Sequence, residues 1–167
     1  MSNSGFLRPV RTEEDIAQVS ALGRRIWTEH YTPFLPAGQV PYMLEHFHSE
    51  AIVRTEIAEK GYEYFLVHHD GSEVGYLGFV DEGDSIYLSK LYLGAEARGS
   101  GIGKRALGYV RDQAVARGHR AIRLGVHKKN SGTIAAYERI GFKITDEMVT
   151  DIGGGYVMDD YAMEWVL

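Results

Sequence analysis

The chain of 167 residues contains no cysteine, only four prolines and no long apolar run. Without cysteine it has no disulfide framework, no thiolate nucleophile and no cysteine-ligated metal. No apolar segment approaches the ~20 residues that cross a bilayer, and the start MSNSGFLRPVRTEED lacks the apolar core of a signal peptide. These absences argue against disulfide-stabilised secreted proteins and helical membrane proteins, and we expect a cytoplasmic protein.

Repeats, low-complexity tracts and linker-like stretches are also missing from the sequence. Hydrophobic residues make up 44% and charged residues 25% of the chain, as is usual for a globular protein. We therefore expect a single domain over residues 1–167.

Charge is divided unevenly along the chain. Residues 1–85 carry 6 basic and 14 acidic side chains, whereas residues 86–167 carry 12 basic and 9 acidic ones. The segment 90–129 alone holds 10 basic and 2 acidic residues. This pattern predicts an anion-binding region in the second half and a cation-facing surface in the first, although two solvated faces explain it equally well.

Hydrophobic periodicity and turn residues predict an α+β (mixed α/β) domain with a central, mostly antiparallel mixed sheet flanked by helices. Thr12, with acidic residues behind it, predicts the start of an amphipathic helix. Tight turns at Asp70-Gly71 and around Gly83 make strands 63–69, 73–80 and 84–93 antiparallel neighbours. A glycine-rich turn, a helix and strand 121–126 follow, which favours a parallel pair with a crossover helix.

Three alternating glycines, Gly99, Gly101 and Gly103, stand directly before that helix. Missing side chains let a ligand approach the backbone, and successive N–H groups can converge on an anion at the positive end of a helix. Lys104 and Arg105 oppose the helix dipole, and an anion bound there would explain their presence. A bent loop without a ligand is the simpler alternative.

Two common phosphate motifs fit this turn poorly. A Walker A loop requires a glycine where Arg98 stands and Ser or Thr where Arg105 stands. The dinucleotide fingerprint matches Gly101, Gly103 and Ala106, but it opens late in the chain and no acidic residue ends the next strand. An NADP-binding protein is therefore a weaker alternative.

Taken together, the motifs resemble the GNAT superfamily of N-acetyltransferases. The run Arg98-Gly-Ser-Gly-Ile-Gly103 is similar to the Arg/Gln-x-x-Gly-x-Gly/Ala motif of that family, and Leu88-Ser-Lys-Leu-Tyr-Leu93 resembles its fourth strand. Downstream, Asn130, Tyr137 and the pair Gly141-Phe142 resemble its second acetyl-CoA motif. The resemblance is strongest from about Ile86 to Phe142 and implies a single GNAT-like domain.

The resemblance also implies site residues for acetyl-CoA, the expected co-substrate. Backbone groups of Leu91 and Leu93 would pair with the pantetheine arm, the turn would hold the pyrophosphate, and Asn130 would contact the arm. The implied set is Leu91, Tyr92, Leu93, Arg98, Gly99, Ser100, Gly101, Ile102, Gly103, Lys104 and Asn130. Thr133 departs from the alanine that the family commonly has there.

Acetyl transfer to an amine requires deprotonation of the amine, stabilisation of the oxyanion and protonation of the leaving thiolate. The resemblance puts Tyr137 near the thioester sulfur, where its phenol would act as the proton donor. Spacing alone favours a core tyrosine, since Ile134, Tyr137 and Ile140 share one helix face. The sequence does not determine the general base: the candidates are Glu29, Glu45, Glu82, His30, His46 and His127, and deprotonation through water is also open.

The acceptor pocket is expected in the acidic, aromatic first half of the chain. Trp27, Tyr31 and Tyr42, with Phe34 nearby, offer ring faces that attract cations, although a core beneath the first helix would use the same residues. We expect an N-acetyltransferase that moves an acetyl group from acetyl-CoA directly to a primary amine of a polyamine-like small molecule or a peptide. A non-catalytic acetyl-CoA sensor is the alternative. No nucleic acid, membrane or metal is expected as a partner, and a homodimer stays open.

Overall fold

A computed structural model of the protein describes residues 5–167. The helices are α1 (Glu13–Tyr31), α2 (Gln39–Phe47), α3 (Glu50–Glu59), α4 (Ile102–Ala116) and α5 (Ser131–Ile140), with a short 3₁₀ helix at Ala95–Ala97. The strands are β1 (Leu7–Pro9), β2 (Glu63–His69), β3 (Ser72–Asp81), β4 (Ser85–Leu93), β5 (Ala121–His127), β6 (Lys143–Gly153) and β7 (Tyr156–Val166).

Helix α1 begins where the sequence predicts it. Thr12 accepts a hydrogen bond from the Asp15 N–H, and the Asp15 carboxylate accepts one from the Thr12 N–H, which completes a capping box. The helix runs to Tyr31, and Pro33 follows two residues later, where it cannot continue the helix. Trp27 and Tyr31 are therefore helix residues.

All seven strands form one sheet in the order β1-β2-β3-β4-β5-β7-β6. Every pairing is antiparallel except that of β4 with β5, which is parallel and is connected by α4. The turn at Asp70 and Gly71 has positive φ at both residues, as a two-residue hairpin turn requires. The predicted mixed, mostly antiparallel sheet with flanking helices is thus confirmed.

Helices cover the two faces of the sheet differently. One face packs against α4 and α5 through residues such as Leu107, Val110 and Ile134. The other packs against α1 and α3 through residues such as Val19 and Val53, and we call it the α1 face. Since neighbouring residues of a strand point to opposite faces, the site residues divide between these two sides.

The parallel pairing of β4 with β5 is short. It joins Ser85, Ile86 and Tyr87 to residues 121–123 and then stops. Just beyond it, β4 carries a bulge, because Leu88 pairs with Phe79 and Lys90 with Gly78, which leaves Ser89 as the extra residue. Past this point the two strands diverge, and the functional cleft lies in the gap between them.

Candidate active site

A cleft of about 860 Å³ opens where β4 and β5 diverge. Its walls come from the C-terminal half of α1, from β4, from the turn before α4, from β5, from the start of α5 and from β7. Arg98, Asn130 and Tyr137, which belong to the two sequence motifs, all line this one cleft.

The edge of β4 that faces the gap is open. The Gly94 N–H donates to the Val74 carbonyl oxygen at 2.8 Å, and hydrogen-bonded pairs alternate along an antiparallel ladder. Leu93 and Leu91 therefore direct their N–H and C=O groups away from β3 and into the gap. A ligand that lies along β4 can bond to them as another strand would. Tyr92 differs, since its backbone faces β3 and its ring lines the cleft.

The glycine turn presents N–H groups beside this edge. Gly99 and Gly101 have φ of +76° and +82°, a left-handed conformation that favours glycine. In the described part of the chain, no group accepts a hydrogen bond from the N–H of Gly99, Gly101, Gly103 or Lys104. With the positive end of α4, these donors suit a pyrophosphate.

Two residues of the turn, Ser100 and Ile102, stabilise the turn and the core rather than face a ligand. The Ser100 hydroxyl donates to the Ala97 carbonyl oxygen and accepts from the Ile102 N–H at 3.3 Å. The Ile102 side chain is buried in the core at 2% exposure. Their bonds shape the turn, and the free N–H groups beside them are the ones available to a ligand.

A hydrogen-bond chain links α1 to both motifs. An Arg98 guanidinium nitrogen lies 3.1 Å from His30 Nδ1, and His30 Nε2 lies 3.2 Å from Asn130 Oδ1. Because guanidinium only donates, Nδ1 accepts and Nε2 carries the proton that is donated to Asn130. The Asn130 amide in turn donates to the Tyr31 hydroxyl at 3.1 Å. Helix α1 thus holds Arg98 and Asn130 in place across the mouth of the cleft.

Tyr137 lies on α5 at the wall of the cleft. Its ring packs on Phe142 with centroids 5.3 Å apart and is 9% exposed, so it is also a core residue. Burial raises the pKa of its hydroxyl to about 12, and the phenol is neutral at pH 7. Among residues 5–167, no group forms a hydrogen bond with that hydroxyl, which leaves it free to donate to a ligand.

Asp160 of β7 also lines the cleft, and the sequence analysis missed it. Burial, followed by the neighbouring Asp159 carboxylate, raises its pKa to about 6, and its Oδ1 atom is buried without a hydrogen-bond partner. Tyr87 lies near it on β4. The only sequence signal was a pair of acidic residues in the middle of a predicted strand, where charge is unusual.

The three residues expected to bind the acceptor are not brought together. Trp27 and Tyr31 line the cleft, stacked with ring centroids 4.1 Å apart, and both are almost fully buried. Burial raises the pKa of Tyr31, so its phenol is neutral. Tyr42 lies away from the cleft, and its hydroxyl donates to the Ile152 carbonyl oxygen at 2.7 Å.

The six candidate general bases also divide into residues that line the cleft and residues that do not. His30 and His127 line the cleft. Glu29, Glu45, Glu82 and His46 are exposed and do not line it. Burial, with a smaller effect from Lys129, lowers the pKa of His127, so this imidazole is neutral.

Lys90, the first residue of the basic segment, is buried rather than available to an anion. Its Nζ donates to the Tyr64 hydroxyl at 2.6 Å, the Phe47 carbonyl oxygen at 2.8 Å and Glu56 at 3.2 Å. Burial lowers its pKa, and the Glu56 carboxylate opposes that shift. Lys90 therefore ties β4 to α2 and α3 beneath the cleft.

Within residues 5–167, no group of three or more His, Asp or Glu side chains is placed to hold a metal ion. In the same part of the chain, no helix is both long and apolar enough to span a membrane.

Known structures share this fold. The PaiA N-acetyltransferase of Thermoplasma acidophilum, solved in complex with coenzyme A, is 21% identical with a TM-score of 0.79 over 100% of both chains. The ribosomal-protein-alanine N-acetyltransferase of Brucella melitensis is 23% identical with a TM-score of 0.67, covering 96% of this chain and 99% of the other. A spermidine N-acetyltransferase SpeG chimera from Vibrio cholerae and hSSAT is 16% identical with a TM-score of 0.66, covering 96% and 94%.

A family model gives the stronger assignment. The model described as "Acetyltransferase (GNAT) family" matches residues 24–142, a segment that contains the glycine turn, Asn130 and Tyr137. The free N–H groups of the turn and the open edge of β4 fit acetyl-CoA, the co-substrate of this family. The chain belongs to the GNAT acetyltransferase family.

Proposed function

We propose that this protein is an N-acetyltransferase that moves the acetyl group of acetyl-CoA directly to a primary amine of a positively charged small molecule or a peptide. One observation carries the proposal: a single cleft is lined by Arg98 and Gly99 of the glycine turn, by the open edge of β4 and by Tyr137, whose phenol is neutral. A protein that only sensed acetyl-CoA would need the first two features but not a proton donor.

For the acetyl-CoA end we propose a division of work among the predicted residues. The free N–H groups of Gly99, Gly101, Gly103 and Lys104 bind the pyrophosphate, supported by the Arg98 guanidinium. Leu91 and Leu93 bond to the pantetheine arm through their backbones. Asn130 keeps a free lone pair on Oδ1 for the same arm, while His30 fixes its orientation.

For the chemical step we propose Tyr137 as the general acid. It donates its proton to the thiolate as the C–S bond breaks, and the resulting phenolate takes a proton from the newly acylated nitrogen. Its raised pKa keeps the phenol protonated at neutral pH, so the proton is in place when the thiolate forms. Transfer is direct, since the chain has no cysteine that could carry the acetyl group.

The acceptor is proposed to enter from the α1 face. Trp27, Tyr31 and Phe34 line the cleft there, and the half-buried Phe34 ring offers aromatic surface to a cation, whereas Trp27 and Tyr31 are almost fully buried. Structural relatives include acetyltransferases named for a ribosomal-protein alanine and for spermidine, so both a peptide and a polyamine are compatible with this fold.

The test is acetyl-CoA turnover by the purified protein against polyamines, amino acids, aminoglycosides and peptides, followed by release of free thiol and by mass of the product. We expect a product heavier by one acetyl group from at least one amine. Tight coenzyme A binding without turnover of any amine would overturn the proposal and favour the sensor.

A further inference from the structure

Gly125 leaves a small space on the α1 face of β5. A Cβ atom placed on Gly125 would lie 3.6 Å from the Tyr87 hydroxyl oxygen, 3.8 Å from Asp160 Oδ2 and 3.9 Å from Met148 Cε. These are ordinary contact distances, and nothing else lies nearer. No side chain of Gly125 therefore stands in front of these two oxygen atoms, and a ligand group that lies over the Gly125 Cα atom can approach both of them.

This space is open to ligand and belongs to the cleft. Gly125, Tyr87 and Asp160 all line the cleft, and Gly125 itself is exposed. Leu124 and Val126 point into the core under α4, so Gly125 lies on the opposite side, from which the acceptor is proposed to enter.

Asp160 has no cation to neutralise it within the described chain. The adjacent Asp159 points to the other face and pairs with Lys128 at 2.9 Å. The titratable groups that face or adjoin Asp160 are neutral or acidic: Tyr31 from α1, Tyr87 from β4, His127 from β5, Tyr137 from α5 and Asp159 on β7. From β6, the residue opposite is the uncharged Met148. A half-buried carboxylate without a partner lowers the stability of the folded protein, and a bound ligand cation would offset that loss.

We propose that Asp160 and Tyr87, with the side-chain-free backbone of Gly125 between them and the cleft, form the seat of the acceptor's ammonium group. This inference rests on the proposed N-acetyltransferase function and adds to it the residues that select the amine. The ammonium donates hydrogen bonds to Asp160 Oδ2 and to the Tyr87 oxygen, and its charge is matched by the carboxylate.

The same carboxylate can start the reaction. Asp160 takes one proton from R–NH₃⁺, which leaves a neutral amine and a carboxylic acid, and the proton then passes to solvent. The amine forms its C–N bond with the acetyl carbon, the C–S bond breaks, and the second nitrogen proton replaces the one that Tyr137 gave to the thiolate. The balance is amine cation plus acetyl-CoA giving amide, coenzyme A thiol and one proton. A carboxyl group with a pKa of about 6 suits proton acceptance near neutral pH.

The size of the seat selects among amines. An ammonium on an unbranched CH₂ is the narrowest group that can lie over Gly125, whereas a branched carbon brings a second substituent towards Met148. The α-carboxylate of a free amino acid would also be repelled by Asp160. We therefore infer a preference for unbranched aliphatic amines, as in diamines and lysine-like side chains, over free amino acids.

The experiment compares Asp160→Asn and Gly125→Ala with the parent and with Asp146→Asn as a matched control. Asp146 is an exposed aspartate of β6 whose carboxylate bonds only to the Glu147 N–H. Acceptors are 1,4-diaminobutane, n-butylamine and L-alanine, and coenzyme A affinity is measured separately by calorimetry.

We expect Asp160→Asn to lower kcat/KM for 1,4-diaminobutane about 100-fold or more and to remove an acid limb near pH 6, with coenzyme A affinity within twofold. Gly125→Ala should raise the acceptor KM about tenfold, since its methyl group would stand 3.6 Å from the Tyr87 oxygen and 3.8 Å from Asp160 Oδ2 and obstruct the ammonium, without a clash in the protein. L-Alanine should be the poorest acceptor, and Asp146→Asn should match the parent.

Activity of Asp160→Asn within twofold of the parent would overturn the seat while leaving the N-acetyltransferase function intact, and so would an unchanged KM in Gly125→Ala. Failure of the parent to acetylate any amine would overturn the function and the seat together. Because Asp160→Asn removes a buried charge, we expect it to fold. If Asp160→Asn does not fold, the proposal is tested by the acceptor KM of Gly125→Ala and by the parent's preference between n-butylamine and L-alanine.

Discussion

At the scale of single residues, Tyr137 combines a core position with a place in the wall of the cleft. Replacing it by phenylalanine keeps the ring on Phe142 and removes only the proton donor. We expect kcat to fall about 10²- to 10⁴-fold while the acceptor KM and the coenzyme A affinity change little. Steady-state kinetics and calorimetry on one preparation measure all three.

Tyr109→Phe is the matched control for this change. Tyr109 lies on α4, packs edge-on against Phe65 at 5.2 Å and does not line the cleft. It should retain full activity. A Tyr137→Phe protein with a lower melting temperature and kcat within twofold of the parent would instead make Tyr137 a core residue only.

Asp160 makes a separate prediction about stability. Its folded-state pKa of about 6 lies above the ordinary carboxyl value of ~3.9, so the folded state favours the protonated form. The stabilising contribution of that proton is complete below about pH 4 and is lost as the pH rises through about 6. Asp160→Asn should therefore be more stable than the parent at pH 7–8, by about 1–2 kcal/mol after allowance for partial exposure.

Denaturant unfolding at several pH values measures this difference. The advantage of the asparagine protein should shrink towards pH 4, where the parent carboxyl is neutral too. Equal stability of the two proteins at pH 8 would show that solvent already satisfies the carboxylate.

At the scale of structural elements, the glycine turn can be tested without disturbing its backbone. Gly101 has positive φ, so any side chain there strains the turn as well as blocking a ligand. Gly103 has no such restriction, and a Cβ on it would meet only the mobile end of Leu93, at 3.2 Å. Alanine also favours a helix over glycine by up to about 1 kcal/mol.

Gly103→Ala and then Gly103→Val should therefore weaken coenzyme A binding stepwise, about tenfold for alanine and more for valine, because one hydrogen bond to a charged group is worth about 1.5–3 kcal/mol. The melting temperature of the alanine protein should not fall. Calorimetric titration with coenzyme A measures the affinity, and unchanged affinity in the valine protein would contradict pyrophosphate binding at this turn.

The sequence predicted those elements whose signals are local. Thr12 and its acidic neighbours located the start of α1, and Asp70-Gly71 located a hairpin. The glycine turn and the run from Asn130 to Phe142 pointed to one family, and the family model confirms that assignment.

Features that depend on pairing between distant strands could not be predicted from the sequence. How far β4 and β5 pair depends on the bulge at Ser89, which no local pattern marks. Asp160 becomes a cleft residue only through the register of β7 on β5. Tyr42 is drawn away from the cleft by a carbonyl oxygen of residue 152, 110 positions further along the chain.

At the scale of the whole molecule, the charge of the first half of the chain bears on the choice of acceptor. Glu29, Glu45 and Glu50 are exposed on α1, α2 and α3, the three helices of the first half of the chain. We expect kcat/KM for 1,4-diaminobutane to exceed that for n-butylamine, since the second ammonium meets this acidic surface.

Exposed charges are screened beyond about 10 Å at 0.1 M salt and about 3 Å at 1 M, so this preference should weaken severalfold as sodium chloride is raised. Kinetics at fixed pH over a salt series measures it. A ratio of the two amines that stays flat with salt would mean that the acidic surface takes no part in selection.

The short parallel contact between β4 and β5 also has a consequence for motion. Among the strands of the described chain, three residue pairs between β4 and β5 join strands β1 to β4 to strands β5 to β7. We call this narrow contact the seam, and we expect the two halves of the sheet to separate locally along it. Backbone amides of Leu91 and Leu93 face that seam without a strand partner and should exchange their hydrogens quickly in the free protein. A co-substrate bound across the seam would hold the two halves of the sheet together. Binding of the co-substrate would then protect these two amides from hydrogen exchange, and its release would expose them again. The exchange rate of the two amides would therefore follow each catalytic cycle.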